Sequence, residues 1–392
     1  MPHARTPFPP AQEAVSDATT APPPPEFVYV ADAFDGHISG FHLLANGTLA
    51  PTPGSPYTLA VNAPITATPL SLAYIAPFLV AANSDPDSKT GMTVFKVNQQ
   101  TGALTHVPQP GPQTTFVDWE IVVADPLKHL VFAMGEDNSA AQQNGLATFR
   151  LTSTGIMQRI GVPIQKGPPV GSIALDPFGR FLYLLSDSQV FVWKRNAGGT
   201  LGAQVSGSPF KVGVPPIFTD PATPDPCFFA NVDPTIAAHP NGHFIYTACN
   251  RGQQVTVSAV SSSGRITPAG AVLLHNGFDR VSSLSVNHAG TILYGTEERR
   301  NAVLTFAIVA NGKLTLRGNN AAGLRPNSVA ADPQQKHLFV TNGSSNIFKG
   351  NFVPGSNNLS YYSLQGTVAT QSKASPVSTG GSPRSVTVVI GH

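Results

Sequence analysis

The sequence predicts an all-β fold, a single seven-bladed β-propeller with four antiparallel strands per blade and a C-terminal strand that closes the first blade. Three observations predict it. An apolar segment ending in polar residues recurs seven times, the composition favours turns over exposed helices, and one strand is missing at the start while one is spare at the end.

The recurring segment reads FVYVAD (27–32), FLVAAN (78–83), LVFAMGED (130–137), FLYLLSD (181–187), FIYTACN (244–250), ILYGTEE (292–298) and LFVTN (338–342). Aligned on Tyr29, Val80, Phe132, Tyr183, Tyr246, Tyr294 and Phe339, the successive gaps are 51, 52, 51, 63, 48 and 45 residues. A turn precedes most copies: Asp125-Pro126, Asp176-Pro177, His239-Pro240, Asn287-His288 and Asp332-Pro333. Asp or Asn followed by Pro is a type I turn signature, so each copy is the second strand of a hairpin. His239 is accordingly a turn residue. Alternating stretches follow, such as MTVFKV and VFVWKR, and then a Gly turn leading to Leu or Ile. The turn pairs are Gly47/Leu49, Gly102/Leu104, Gly155/Ile156, Gly199/Leu201, Gly264/Ile266 and Gly312/Leu314, with Asn357-Asn358-Leu359 in the seventh unit. These link the third and fourth strands.

Charged residues are 11% of the 392, against roughly 25% in an average soluble domain, while the chain holds 36 Gly and 37 Pro. Exposed helices lack the Glu, Lys and Arg they need. The net charge of +2 and the absence of a basic run exclude a nucleic-acid grip. No apolar run is long enough to span a bilayer as a helix. Residues 1–26, rich in Pro, Ala and Thr, read as a disordered tether ahead of one domain at 27–392. Such a tether suits an exported protein, periplasmic or secreted, although a cytoplasmic protein can start the same way. Only this tether precedes Phe27, whereas Pro383–Ile390 is an extra strand at the far end. Pairing the two closes the ring, and a monomer is expected.

These blades, the Gly-Ser-Pro segments at 54–56, 207–209 and 381–383, and the Asp-Pro turns resemble the lactonase-like seven-bladed propellers. That family includes 6-phosphogluconolactonase, the fungal muconate-lactonising enzyme and YVTN-type propellers. The resemblance implies a lactonase site with Gly-Pro-Arg-His opening the fifth blade and Asn-Glu ending its second strand. Here Asn231-Val232-Asp233-Pro234 and Cys249-Asn250-Arg251 hold those places. One blade later Glu297 to Val303 resembles the family's Asn-Glu-x-x-Asn-x-Val, and Pro326-Asn327-Ser328 stands where the family has Pro-Arg-Gly, with Arg325 beside it.

In such a ring the ends of the second strands and the starts of the innermost strands share one face, called the top. Opening a lactone needs a carboxylate to activate water and cationic donors for the oxyanion. Glu298 is the expected base, with Arg280 and Arg325 as donors. Glu136, Asp118, Asp233, Asn250, Arg299 and Phe228 are expected around a small-molecule ligand or a protein partner. The competing reading is a noncatalytic binding or scaffold propeller. At single strand ends, Asp and Asn more often cap turns than do chemistry. No cofactor is expected. Asn83, Asp85 and Asp87 have calcium-loop spacing, but Ser88 and Val94 stand where Gly and a carboxylate are needed. Antiparallel pairing in blade five brings Cys227 and Cys249 into one neighbourhood, where a disulfide is expected, two buried thiols being the alternative.

Overall fold

The computed structural model describes residues 24–59, 68–84, 91–110, 116–137, 144–165, 167–168, 171–213, 234–248, 254–274, 280–343 and 356–391. Among the described residues there is no helix, and the strands form seven antiparallel sheets. Each sheet has four strands in radial order, and three carry a further short strand.

The innermost strands touch in a closed circuit: Pro383–Ile390, Thr68–Ile75, Phe116–Asp125, Ser172–Leu175, Thr235–Ala238, Val281–Val286, Pro326–Ala331 and back to Pro383–Ile390. Closure is as expected, since Pro383–Ile390 pairs along Glu26–Asp32 from Glu26↔Ile390 to Asp32↔Pro383. The first strand takes in Glu26, one residue before the expected boundary. Residues 1–23 lie outside the described residues.

Seven hydrophobic clusters fill the seven spaces between neighbouring blades. Strand periodicity produces them. In the first strand Phe27, Tyr29 and Ala31 face blade two, while Val28 and Val30 face blade seven. Both faces are buried, which is why these segments read as unbroken apolar runs.

Hydroxyls add a second inter-blade device. The Val386 amide donates to Ser328 Oγ (3.3 Å), Leu72 to Ser385 (3.2 Å), Val122 to Ser71 (3.2 Å), Ile236 to Ser172 (3.3 Å), Leu284 to Thr235 (3.0 Å) and Val329 to Ser283 (3.3 Å). Every pair joins one innermost strand to the next. In blade three the equivalent residue is Ile121, which has no hydroxyl to offer.

The six expected Gly turns between third and fourth strands all have positive φ, from 71° to 88°. A Cβ added at Gly102, Gly155, Gly199, Gly264 or Gly312 would meet Phe27, Phe78, Leu130, Phe181 or Phe244, the first large apolar residue of the second strand of the preceding blade. The seventh unit corrects the expectation. Asn358–Gln365 is its third strand and Val368–Gln371 its fourth, so the turn lies at Gly366 (φ 58°) and Asn357 precedes the third strand. The long insertion before Asn357 displaced the pattern.

On the bottom face the turn residues cap their own turns and reach the next blade. Asp176 accepts from the amides of Phe178 and Arg180, and Arg180 reaches Gly242 O at 2.8 Å. His239 bonds Gly290 O (2.8 Å), as a turn residue should, and Asn287 Nδ2 donates to Gln335 (2.7 Å). Asp125 pairs with Arg195. Between blades seven and one, His337 meets Glu26 at 3.0 Å. The hydrogen bond to Glu26 holds the His337 imidazole above its ordinary pKa.

Candidate functional site

The strand register divides the top-face polar residues into two kinds. Asp32, Asn83, Glu297 and Asn342 are equivalent, each paired with the residue two before the Ser of the hydroxyl series: Pro383, Pro69, Val281 and Pro326. All four are buried and bonded within or beside their own blade. Glu297 accepts from the amides of Arg280 (2.9 Å), Arg299 (3.1 Å) and Arg300 (2.5 Å). Asn83 donates to Thr93 (2.8 Å), and Asn342 to Asn358 and Ser360. Of these, Glu297 caps backbone amides, whereas Asn83 and Asn342 bond neighbouring side chains and their buried Oδ1 atoms meet no donor among the described residues. Asp85 and Asp87 lie outside the described residues, so of the calcium spacing only Asn83 is placed, and it serves Thr93.

Asp32 differs in its electrostatics. Ser39 donates to its Oδ2 at 2.6 Å, but Oδ1 is buried without a donor among the described residues, and the neighbouring charge is that of Asp35. Burial pushes its pKa up to about 7.

The next position along holds Ala33, Ser84, Glu136, Asp187, Glu298 and Gly343; Ser84 and Glu136 still belong to their strands, and the other four lie one residue past the strand end. Three of these make one backbone bond in common: Ala33 N to Ser382 O (3.1 Å), Glu298 N to Arg280 O (2.9 Å) and Gly343 N to Arg325 O (3.1 Å). Ser382, Arg280 and Arg325 are thus equivalent, and Ser382 and Arg325 adopt positive φ (55° and 54°). The sequence could not show that Arg280 and Arg325 repeat one position in adjacent blades.

Glu298 and Arg280 do come together. Their side chains approach to 3.8 Å, with Glu298 10% and Arg280 27% exposed. Arg325 is tied to the same turn from blade seven, its amide donating to Asn301 Oδ1 at 2.8 Å. Arg299 is exposed on that turn. Glu136 is half-buried at the corresponding end in blade three, its backbone opposite Asp118. Asp233, Asn250, Phe228, Cys227 and Cys249 lie outside the described residues.

Bulges shape the rim further. In blades one, two, six and seven the innermost strand carries one extra residue at its top end, Arg384, Leu70, Ser282 and Asn327, and in blade three it carries two, Val117 and Glu120. Such bulges re-aim a side chain at the end of a strand. Asn327 Nδ2 donates to Pro383 O (2.6 Å) and Ser282 Oγ to Pro326 O (2.8 Å), each bridging to the next blade. Arginines therefore stand at the top of three consecutive blades, at 280, 325 and 384, with Glu298 among them.

Residues 235–350 match the family model described as Lactonase, 7-bladed beta-propeller, a span that contains Glu298, Arg280 and Arg325. No curated protein matches the chain. Among solved structures, the periplasmic gluconolactonase of Pseudomonas aeruginosa is similar over 94% of this chain and 100% of that one, at 18% identity and a TM-score of 0.69. A candidate 6-phosphogluconolactonase of Bacteroides fragilis is similar over 96% and 99%, at 16% identity and a TM-score of 0.69. A Lactobacillus plantarum protein is similar over 93% and 99%, at 16% identity and 0.66. At these identities the likeness is one of fold. Among the described residues no helix is long and apolar enough to cross a membrane.

Proposed function

We propose that this lactonase-type propeller hydrolyses an anionic sugar lactone at the top face, over blades six and seven. The observation that carries the reading is the Glu298 carboxylate held 3.8 Å from Arg280, with Arg325 in the equivalent place one blade on. A carboxylate can take a proton from water as the resulting hydroxide adds to the lactone carbonyl. The C=O electron pair moves onto oxygen, where guanidinium donors stabilise the oxyanion. Collapse breaks the ring C–O bond, and the leaving alkoxide recovers the proton from Glu298 to give the hydroxy acid. Arginines on consecutive blades also suit a substrate phosphate or carboxylate. The gluconolactonase names of the neighbours make 6-phosphogluconolactone, an anion, the first substrate to try and uncharged gluconolactone its comparison, and the periplasmic one accords with export.

A binding-only propeller is the second reading, favoured by the burial of Glu298 against Arg280. Acid release from both lactones, followed in a pH-stat, separates the two. Under the catalytic reading Glu298→Gln lowers turnover by about 10²-fold or more with folding intact. Equal, background-level hydrolysis by both proteins would leave only the binding reading.

A further inference from the structure

We propose that the bottom face binds one divalent transition metal ion, of which Zn²⁺ is the type, at the seam where blade seven meets blade one. The ligands are Glu26, Asp332 and His337. One donor atom from each of the three lies within 4.8 Å of the others. His337 Nδ1 stands 3.0 Å from Glu26 Oε2 and 4.0 Å from Asp332 Oδ2. Ligand atoms around a tetrahedral zinc sit about 3.4 Å apart, so small side-chain rotations close the set around an ion.

The equivalent turns of the same molecule supply an internal control. Asp125 uses one oxygen for the Lys128 amide and the other for Arg195. Asp176 uses both oxygens on Arg180 and nearby amides. His239 uses both ring nitrogens, and Asn287 both amide atoms. Asp332 alone in this series has an idle atom. Its Oδ1 caps the amides of Lys336 and His337, while Oδ2 meets no donor among the described residues although the side chain is 0% exposed. Glu26, with a side chain 9% exposed, likewise has Oε1 buried without a donor. The imidazole presents only Nδ1 to the pair, so it cannot satisfy both. Two buried carboxylate oxygens and a ring nitrogen converging from separate blades are a donor set for a cation. With His337 25% exposed, water can complete the coordination. Because Glu26 opens the first strand and the other two belong to blade seven, the ion would staple the ring at its closure.

The test uses the full chain without a polyhistidine tag, stripped with EDTA and titrated with ZnCl₂. We expect one zinc per chain by mass spectrometry and a higher melting temperature, since zinc at 100 times its Kd lowers the unfolded-to-folded ratio about 100-fold. Glu26→Gln and His337→Gln should each abolish both effects. X-ray absorption of the zinc-loaded wild type guards against a variant that fails to fold. One imidazole with oxygen ligands and no sulfur supports the site. Absence of zinc uptake by the wild type, full uptake by the variants, or sulfur in the first coordination shell would overturn it.

Discussion

Raising the pH from about 4 to about 8 should destabilise the folded chain through one carboxyl, that of Asp32. Its side chain lies at the ring seam, where Gly380 packs on it, Ser39 donates to Oδ2 and the charge of Asp35 acts on it. Burial is the larger cause of the upward shift and Asp35 adds to it, while the bonds from Ser39 and Gly380 act against it. The folded pKa of about 7 exceeds the ordinary 3.8. The neutral form is therefore favoured by folding. Its stabilisation is complete below about pH 4, fades as the unfolded chain ionises, and is lost once pH passes about 7. Three pH units at about 1.4 kcal/mol each give a decline on the order of 4 kcal/mol. Urea unfolding at intervals across this range, on wild type and Asp32→Asn, isolates the effect from other titrating groups. Asn can keep a carbonyl oxygen facing Ser39 and Gly380, and its amide fills the place of the donorless Oδ1. The variant should be less stable or equal at low pH and gain on wild type steadily as pH rises. A wild-type-minus-variant difference that stays flat from low to high pH would refute the reasoning.

Deleting residues 383–392 removes the strand paired with Glu26–Asp32 and leaves an unpaired edge, so the truncated chain should aggregate or lose cooperative unfolding in calorimetry. Glycine turns should split into two classes on substitution by Ala. Gly47 (φ 78°) has open space around it and Gly312 (φ 76°) would place Cβ 2.5 Å from the Phe244 ring. Both variants incur backbone strain of about 1 kcal/mol, and Gly312→Ala should cost a further 1–3 kcal/mol or so from overlap. Equal chemical-denaturation midpoints for the two would contradict that packing.

The fold was legible because each strand of a propeller repeats the same local physics. Second strands buried on both faces read as apolar runs, Asp-Pro pairs mark one set of turns and Gly the other. The seventh blade misled because an insertion put Asn357 where the Gly turn was sought, whereas Gly366 does the work. The site was legible only in part. Glu298 and Arg280 could be placed on one face from strand position, and they meet. That Glu297 is consumed by three backbone amides, while its neighbour is not, depends on strand register and turn geometry that one sequence does not display. The cluster of Glu26, Asp332 and His337 had no signal at all, since Glu26 stands 311 residues from His337 in the chain and only closure of the ring brings it to the other two.

Sevenfold repetition separates what the fold needs from what it does not. One residue past the second strand, Ala33, Glu298 and Gly343 use their amide N–H in the same way. Ala and Gly do that work without a polar side chain, so the backbone gives no reason for a carboxylate at 298. Setting a carboxylate there also carries a desolvation cost, which Arg280 offsets at 3.8 Å. The charge pair is thus an addition to the scaffold, placed where the chains of equivalent residues diverge. The bottom face follows the same logic with the opposite sign. Asp125, Asp176, His239 and Asn287 spend every polar atom on turns and neighbours, so the idle oxygen of Asp332 is a departure from the repeat. Where a repeated position departs from its copies and leaves a buried carboxylate oxygen to be compensated, the partner comes from outside the repeat: a guanidinium at the top and, under the proposal made above, a cation from solution at the seam.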